Sequence, residues 1–394
     1  MVPVNREIVL RARHGDRVPL LRLATVLLAV GALVIAVAGV SRLATSTTQP
    51  ASITHRAVGL LVTSREGVVS VARPDGTGLR RISPQGMLLR GPRWSTDGTR
   101  IAAWGGPIPS TSSIHPGDVY VMDADGGRIR SITPGLEPIF GDALAWSPDD
   151  RRIAIASEGR LFVADTDGGR AIELQVEPIP ADMLRTAAMS WSPDGNELAV
   201  VVPRVGFPNE GVLEVVDVRT GDGTVVPTAG SLGYPSIGQA SWSPTGDAIA
   251  YAVTLRLAGD SGTGQHLMVA VRNGGAWTTS VLVRGPVSDP QRFGWPAWSN
   301  DGTRLAWVQG DLFGAVALWV RSADGSAARK LADLPVSDLG QLGELAWLPD
   351  DSRIVVPNVP ESFLSFLLVD PDGIAPAWSL EHLGGTADWQ TVAR

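Results

Sequence analysis

Six copies of one decapeptide dominate this chain: RWSTDGTRIA, AWSPDDRRIA, SWSPDGNELA, SWSPTGDAIA, AWSNDGTRLA and AWLPDDSRIV, with a bare ADWQTV near the end. They place Trp94, Trp146, Trp191, Trp242, Trp298, Trp347 and Trp389 at intervals of 52, 45, 51, 56, 49 and 42 residues. A unit repeated at that period cannot bury its apolar face alone, so its neighbours must stack into a ring or an array. One Trp per copy, beside a turn, reads as a core position rather than a row of stacking platforms for sugars.

Each copy spells two hairpins. A first strand ends in Trp, and Ser-Pro-Asp-Gly or a close variant turns the chain: Pro presets φ, Asp bonds the turn backbone, and Gly accepts positive φ. The second strand is a short, continuously apolar run such as Ile153-Ala154-Ile155 or Leu305-Ala306-Trp307. Unbroken apolarity means that both faces are covered, as in a sheet sandwiched between two others. A third strand with an apolar-x-Val pattern follows, as in Val119-Tyr120-Val121 and Leu318-Trp319-Val320. It usually ends in an Asp-Gly turn, and a more polar fourth strand completes the unit.

The ends of the repeat complement each other. The first unit begins at residue 59 with a second strand that has no Trp partner, while Trp389 closes a first strand with no successor. Joined, the two fragments make one unit. The expectation is all-β: a seven-bladed β-propeller over 58–394, six blades being the alternative, preceded by one N-terminal transmembrane helix. The run W-S-P-D-G-x-x-[IL]-A, followed by apolar-x-Val and Asp-Gly, resembles the WD40-like repeat of TolB-type propellers across about 59–392. That resemblance implies the propeller fold, although the TolB propeller has six blades and an additional amino-terminal domain.

Residues 23–40 (LATVLLAVGALVIAVAGV) form an uncharged run of 18 residues, at the lower limit for crossing a bilayer. Five Arg precede it and one follows, which sets the N-terminus inside and the propeller outside. The expected organisation is a basic cytoplasmic tail (1–19), a signal-anchor (20–41), a Ser/Thr-rich linker (42–57) and the propeller. A signal peptide cleaved near Ala36-Val37-Ala38 is the competing reading.

Net charge is −7, and residues 1–42 carry +4, so the remainder is strongly acidic. An acidic body argues against nucleic acid, whose phosphates call for Lys and Arg. The chain has no Cys, which removes disulfides, thiolate metal sites and a Cys nucleophile. Its five His (14, 55, 115, 266, 382) show no ligand spacing. Asp123/Asp125, Asp165/Asp167 and Asp370/Asp372 partly imitate a calcium loop but lack its remaining ligands. They read as turns, with weak Ca²⁺ binding as the alternative; no cofactor, metal or catalytic residue is expected. Gly259-Asp260-Ser261-Gly262 is read as a glycine-rich loop.

Loop lengths indicate a working face. First-to-second and third-to-fourth turns are uniformly tight. The long segments (105–117, 202–211, 254–265 and 309–315, with connectors 134–144, 174–188, 227–239 and 284–296) all belong to the opposite face. Variation on one face of a rigid scaffold is where function concentrates. Arg90, Asp142, Arg185, Tyr234, Arg292 and Trp295 are the candidates to line the channel mouth there. The expectation is a monomeric, non-enzymatic module that binds a protein or an envelope polymer. A propeller hydrolase or lyase working in the channel and a membrane-tethered sensor are the alternatives.

Overall fold

The computed structural model describes residues 60–389 apart from 74–76, 109–116, 135–140, 158–159, 170, 175–188, 205–206, 229–235, 256–261, 263, 286–291, 312–313, 337–341, 343, 349, 359–364, 375–377 and 381–385. The described residues fall within the unit Ala57–Arg394. The expected tail, membrane segment and linker lie outside them. Among the described residues no helix is long and apolar enough to cross a membrane.

The described strands form seven antiparallel sheets of four. Blade 1 joins β28 (Thr386–Trp389) to β1 (Leu61–Arg65), β2 (Val68–Ala72) and β3 (Arg80–Arg81). Blade 2 is β4 (Met87–Trp94), β5 (Arg100–Pro107), β6 (Asp118–Asp123) and β7 (Arg130–Ser131). Blade 3 is β8 (Gly141–Trp146), β9 (Arg152–Ser157), β10 (Arg160–Asp165) and β11 (Ile172–Leu174). Blade 4 is β12 (Met189–Trp191), β13 (Glu197–Arg204), β14 (Phe207–Asp217) and β15 (Gly223–Val225). Blade 5 is β16 (Ser236–Trp242), β17 (Ala248–Leu255), β18 (Gly264–Asn273) and β19 (Ala276–Arg284). Blade 6 is β20 (Arg292–Trp298), β21 (Arg304–Gly310), β22 (Val316–Ser322) and β23 (Arg329–Leu334). Blade 7 is β24 (Ala346–Trp347), β25 (Ile354–Asn358), β26 (Ser365–Val369) and β27 (Trp378–Leu380).

The expected closure is present. Leu61 pairs with Trp389, Val62 with Asp388, Thr63 with Ala387 and Ser64 with Thr386. Consecutive first strands pack against one another, while β3 and β15 are exposed throughout, so first strands surround the axis and fourth strands form the rim. Second strands are buried on both faces, as their unbroken apolarity requires; Ile153, Ala154 and Ile155 are fully buried. The fourth strands vary from two residues (β3 and β7) to nine (β19). β7 holds only Arg130 and Ser131, since Arg128 is taken into the preceding turn at φ 43°.

Neighbouring blades are joined through the repeat itself. Trp146 Nε1 donates to the Arg93 carbonyl (3.1 Å), Trp191 to Ala145 (2.9 Å), Trp298 to Ser241 (3.2 Å) and Trp347 to Ala297 (3.0 Å). Each acceptor is the residue just before the preceding blade's Trp. Trp94, Trp146, Trp191, Trp242 and Trp347 are buried as expected, whereas Trp298 is half-buried; the Trp389 side chain lies outside the described residues.

An arginine six residues after the Trp completes the joint. Arg100 lies over the Trp146 ring and donates to the Asp150 carbonyl; Arg152 covers Trp191 and reaches Gly195; Arg304 covers Trp347 and reaches Asp351. Blade 4 has Glu197 at that place. There the cation comes from blade 5 instead, as Arg272 pairs with Glu197 (2.8 Å) and lies over Trp242.

The fourth turn residue adopts positive φ in the six described copies: Gly98, Gly195, Gly246 and Gly302, but Asp150 (57°) and Asp351 (56°). Asp is strained there, and both carboxylates are put to use. Asp150 accepts from the Thr96 and Asp97 amides (2.6 and 2.9 Å), and Asp351 from those of Asn300 and Asp301 (2.7 and 3.0 Å). The two departures from Gly are thus side-chain clasps on the preceding blade.

In five of the six described turns (blade 7 has Leu348 instead), the buried Ser after Trp donates to an Asp and accepts an amide five residues on, as in Ser299 with Asp301 and Arg304. The Ser299 hydroxyl and the Thr303 amide hold the Asp301 carboxyl down to about 2. Hydroxyl partners also lower Asp194 and Asp247; at Asp97 and Asp149 burial opposes the shift, but the hydrogen bonds and nearby arginines outweigh it. Burial raises Asp150 in the opposite sense. A carboxyl depressed by folding stabilises above its unfolded value and loses that contribution as pH falls through the folded one. The melting temperature is therefore expected to fall between about pH 4 and pH 2. Ser299→Ala should flatten that slope while lowering the neutral-pH value; an unchanged slope would exclude the Ser–Asp turns as its source.

Candidate functional site: the long-loop face of the channel

The two faces are built differently. On the tight-turn face, rim arginines reach the next blade's outer turn: Arg80 to Asp125, Arg130 to Thr166, and Arg329 to Pro371 and Asp372, each donating to a backbone carbonyl. The carboxylates that imitate calcium loops are engaged by arginine in the same region: Asp123 by Arg128 (2.6 Å), Asp167 by Arg130 (3.0 Å) and Asp372 by Arg304 (3.3 Å). That face is a uniform, cross-linked plate.

The opposite face is irregular. In blade 1, strands β1 and β2 are joined by the two-residue turn Glu66-Gly67, both at positive φ, the tightest hairpin that the right-handed twist favours. Blade 4 corrects an expectation. Residues 202–204 and 207–211 are strand, not loop: β13 and β14 pair as far as Arg204↔Phe207, with a register shift at Pro203, extending the sheet. Blade 5 is similarly tall, with Leu255 paired to Gly264 and His266 to Arg284. Blades 4 and 5 form a high side of the mouth, and blade 1 a low one.

First strands carry bulges where they approach this face. β4 shifts register between Arg90 and Arg93, β8 at Asp142, β16 between Ile237 and Ala240, and β20 between Gly294 and Ala297. A bulge re-aims side chains at a sheet's margin. Of the six candidate residues, Arg90, Asp142, Arg292 and Trp295 fall on these strands, in blades 2, 3 and 6; Arg185 and Tyr234 lie outside the described residues. Arg90 and Arg292 are exposed.

Trp295 stands apart. Among the described residues, the other non-glycine positive-φ residues (Glu66, Arg128, Asp150 and Asp351) occupy hairpin turns, while Trp295 (53°) lies inside a strand. Its counterpart in blade 2, three residues before the Trp, is Gly91 at 55°. Blade 6 thus sets a bulky ring where the bulge suits glycine, at a strain of about 1–2 kcal/mol. The half-buried ring packs toward the blade 6–7 core that includes Val308 and Leu345. Two glutamines hold this bulge from blade 5: Gln265 Oε1 accepts from the Phe293 amide (2.8 Å) and Gln239 Oε1 from that of Trp295 (3.4 Å).

Sequence reasoning missed those glutamines and one ion pair. Arg93 Nη2 lies 4.0 Å from Glu344 Oε2, linking blade 2 to the approach to blade 7 past the inner strand of blade 1. A signal existed: Arg93 occupies the position before Trp that other copies fill with Ala or Ser. The buried His266 accepts the Gly285 amide at Nδ1 (3.3 Å) and serves the blade 5 wall. Among the described residues no three His, Asp or Glu side chains gather as a metal site would require.

No protein-family model matches the sequence. One segment is 32% identical over 99 residues, 23% of this chain, to the Tol-Pal system protein TolB of Alcanivorax borkumensis, and covers only 21% of that relative's length. Among solved structures, TolB from Acinetobacter baumannii superposes at TM-score 0.51 and 14% identity over 86% of this chain and 81% of the other. The periplasmic gluconolactonase of Pseudomonas aeruginosa gives 0.55 and 17% over 86% and 100%. An oligogalacturonate lyase in complex with manganese gives 0.53 and 14% over 83% and 85%. At such identities the agreement concerns the fold alone, and that fold carries proteins of unlike activity.

Proposed function

We propose that this chain, a TolB-like seven-bladed β-propeller, is a binding module held outside the cytoplasm by residues 20–41, and that it engages an envelope protein through its long-loop face without turning it over. The observation that carries this reading is Trp295. A strained aromatic stands in β20, braced by Gln239 and Gln265, where the first strand of blade 6 approaches the face on which blade height varies. Strain of this kind persists where it serves a site, and half-buried Trp and exposed Arg are the side chains that most often anchor a protein partner. The matched TolB segment supports an envelope setting.

The test uses the full chain in detergent micelles, cross-linked to an envelope extract. One saturable protein adduct is expected. Trp295→Gly relieves about 1–2 kcal/mol of backbone strain but loses the packing of a half-buried ring, so its melting temperature should fall modestly while the chain stays folded. Its adduct yield, and that of Arg292→Glu, should nevertheless fall about tenfold or more. Arg219→Glu, in the β14–β15 turn of the other face, should leave the yield unchanged. Equal loss from all three variants would sink the assignment of the face. Turnover of a glycan or peptide without an adduct would favour the channel-enzyme reading, which the lactonase and lyase folds keep in view.

A further inference from the structure

The tight-turn face is interrupted at one place. The other blades turn there from first strand to second, whereas blade 1 has two chain ends: Leu61, where β1 starts, pairs with Trp389, where β28 stops. In blades 2 and 3 the same pairing, Trp94 with Ile101 and Trp146 with Ile153, brackets the turn. The described chain therefore enters the propeller on the tight-turn face, in blade 1.

The outer hairpin of blade 1 departs from the rest of that face. The third-strand residues Val71, Val121, Val163 and Val215 pair with Arg80, Arg130, Ile172 and Thr224, which aligns the hairpins. Two residues on, blades 2, 3 and 4 have Asp123, Asp165 and Asp217, but blade 1 has Arg73. Residues 73–81 (RPDGTGLRR) set three Arg against Asp75, a net +2, while the matching segments of the other blades range from −2 to +1. Arg73, Arg80 and Arg81 are exposed. Among the described residues they bond to neutral oxygens: Thr77 Oγ1 (3.5 Å), the Asp125 carbonyl (3.2 Å) and the Ser83 and Pro84 carbonyls (2.8 and 2.7 Å). Their charge is left for another partner.

Between these arginines stands Leu79, 56% exposed. Its counterparts are small, as Ala171, Gly223 and Ala328, or half-buried against the blade 1–2 core, as Ile129. In blade 7, the neighbour in the ring, Ile374 directly follows the outer turn and is 87% exposed. A lone exposed aliphatic needs no explanation. Two at adjacent outer turns, beside a basic hairpin and the point of chain entry, call for a common one.

We propose that this corner of the tight-turn face, Leu79 and Ile374 with Arg73, Arg80 and Arg81, rests on the outer surface of the membrane. The aliphatic side chains reach the boundary between headgroups and acyl chains, and the guanidinium groups meet lipid phosphates. The inference rests on the anchor at residues 20–41 proposed above. Nineteen residues, 41–59, separate the apolar run from Leu60. A coil of that length spans about 25 Å between its ends, and a fully extended chain about 65 Å. So short a tether populates, through effective concentration, a contact too weak to recruit a free protein. Apolar burial and the attraction of arginine for anionic headgroups reinforce each other at such a surface. The arginine stems can lie along the boundary while their heads stay with the phosphates. A membrane on this side leaves the long-loop face clear for its partner.

The natural absence of Cys gives the test its probes. The whole chain carries a nitrobenzoxadiazole fluorophore on Thr77→Cys or, in the connector on the long-loop side, on Gln85→Cys. It is reconstituted in phosphatidylcholine vesicles containing phosphatidylglycerol, with nitroxide-bearing acyl chains as quencher. The label at 77 is expected to be quenched about fivefold more than the label at 85. Leu79→Ser, or omission of phosphatidylglycerol, should remove most of that excess; the exposed Leu79 can be changed without moving the melting temperature. Chains that float with the vesicles but are quenched equally at 77 and 85 would overturn the docking and leave the anchor standing. Chains that fail to float would remove the anchor, and the docking with it. An excess indifferent to both Leu79→Ser and lipid charge would overturn the choice of this corner. A label at 77 that is immobilised yet unquenched would do so too, giving the corner to a second copy instead.

Discussion

Deleting residues 386–394 is expected to abolish the folded ring, not to shorten it by one strand. β28 is the inner strand of blade 1 and also packs against β4 of blade 2. Its loss would strip four paired residues from β1 and open the fully buried Leu61 and Val62 to water. Backbone pairing at roughly 1 kcal/mol per bond, with the apolar surface uncovered on two blades, amounts to at least 5 kcal/mol, comparable with the whole stability of many domains. Thermal unfolding and limited proteolysis should show a non-cooperative chain cut throughout its length. A peptide of residues 383–394 added in trans should restore a cooperative transition. A truncated chain that still melts within a few degrees of the parent would mean that the ring does not depend on this clasp.

Trp191→Ala is expected to cost about 3–5 kcal/mol, among the largest single-residue effects in the molecule. The indole does three things at once. It fills the blade 3–4 core beside Leu198 and Val200, donates to the Ala145 carbonyl, and supports the Arg152 guanidinium that reaches Gly195. Removing it leaves a cavity and an orphaned carbonyl, each with its own cost. Arg152→Ala, which keeps the indole, should cost about 1 kcal/mol. Trp298→Ala should fall between the two, because that ring is only half-buried. Denaturant midpoints of the three variants give the order; a Trp298 effect equal to that of Trp191 would contradict the role assigned to burial.

The architecture was legible because the repeat writes its geometry locally. Each turn needs positive φ at one place, and Gly, or Asp in two copies, stands there. The missing Trp of the first unit and the spare one at the end could be matched without any structure. The joints between blades were less visible, since Arg100 and Asp150, or Asn300 and Asp351, meet about fifty residues apart in sequence. Aligning the copies would have exposed the arginine: Arg100, Arg152, Arg304 and Arg353 share one position. Blade 5's height could not be read at all, because a loop rich in Gly and a tall hairpin look alike until pairing is known. Arg90, Arg292 and Trp295 could be listed as candidates from loop length alone, but the left-handed conformation that singles out Trp295 depends on the bulge in β20.

Closure by the last strand also sets a timetable for synthesis. Blade 1 is started near residue 61 and cannot be finished until residue 389 has been made. At about 5–20 residues per second, some tens of seconds separate the two events. Throughout that interval the bonding edge of β1 has no mate, while the six later sheets accumulate beside it. Whatever accompanies the nascent chain must guard that one ribbon until the ribosome lets go.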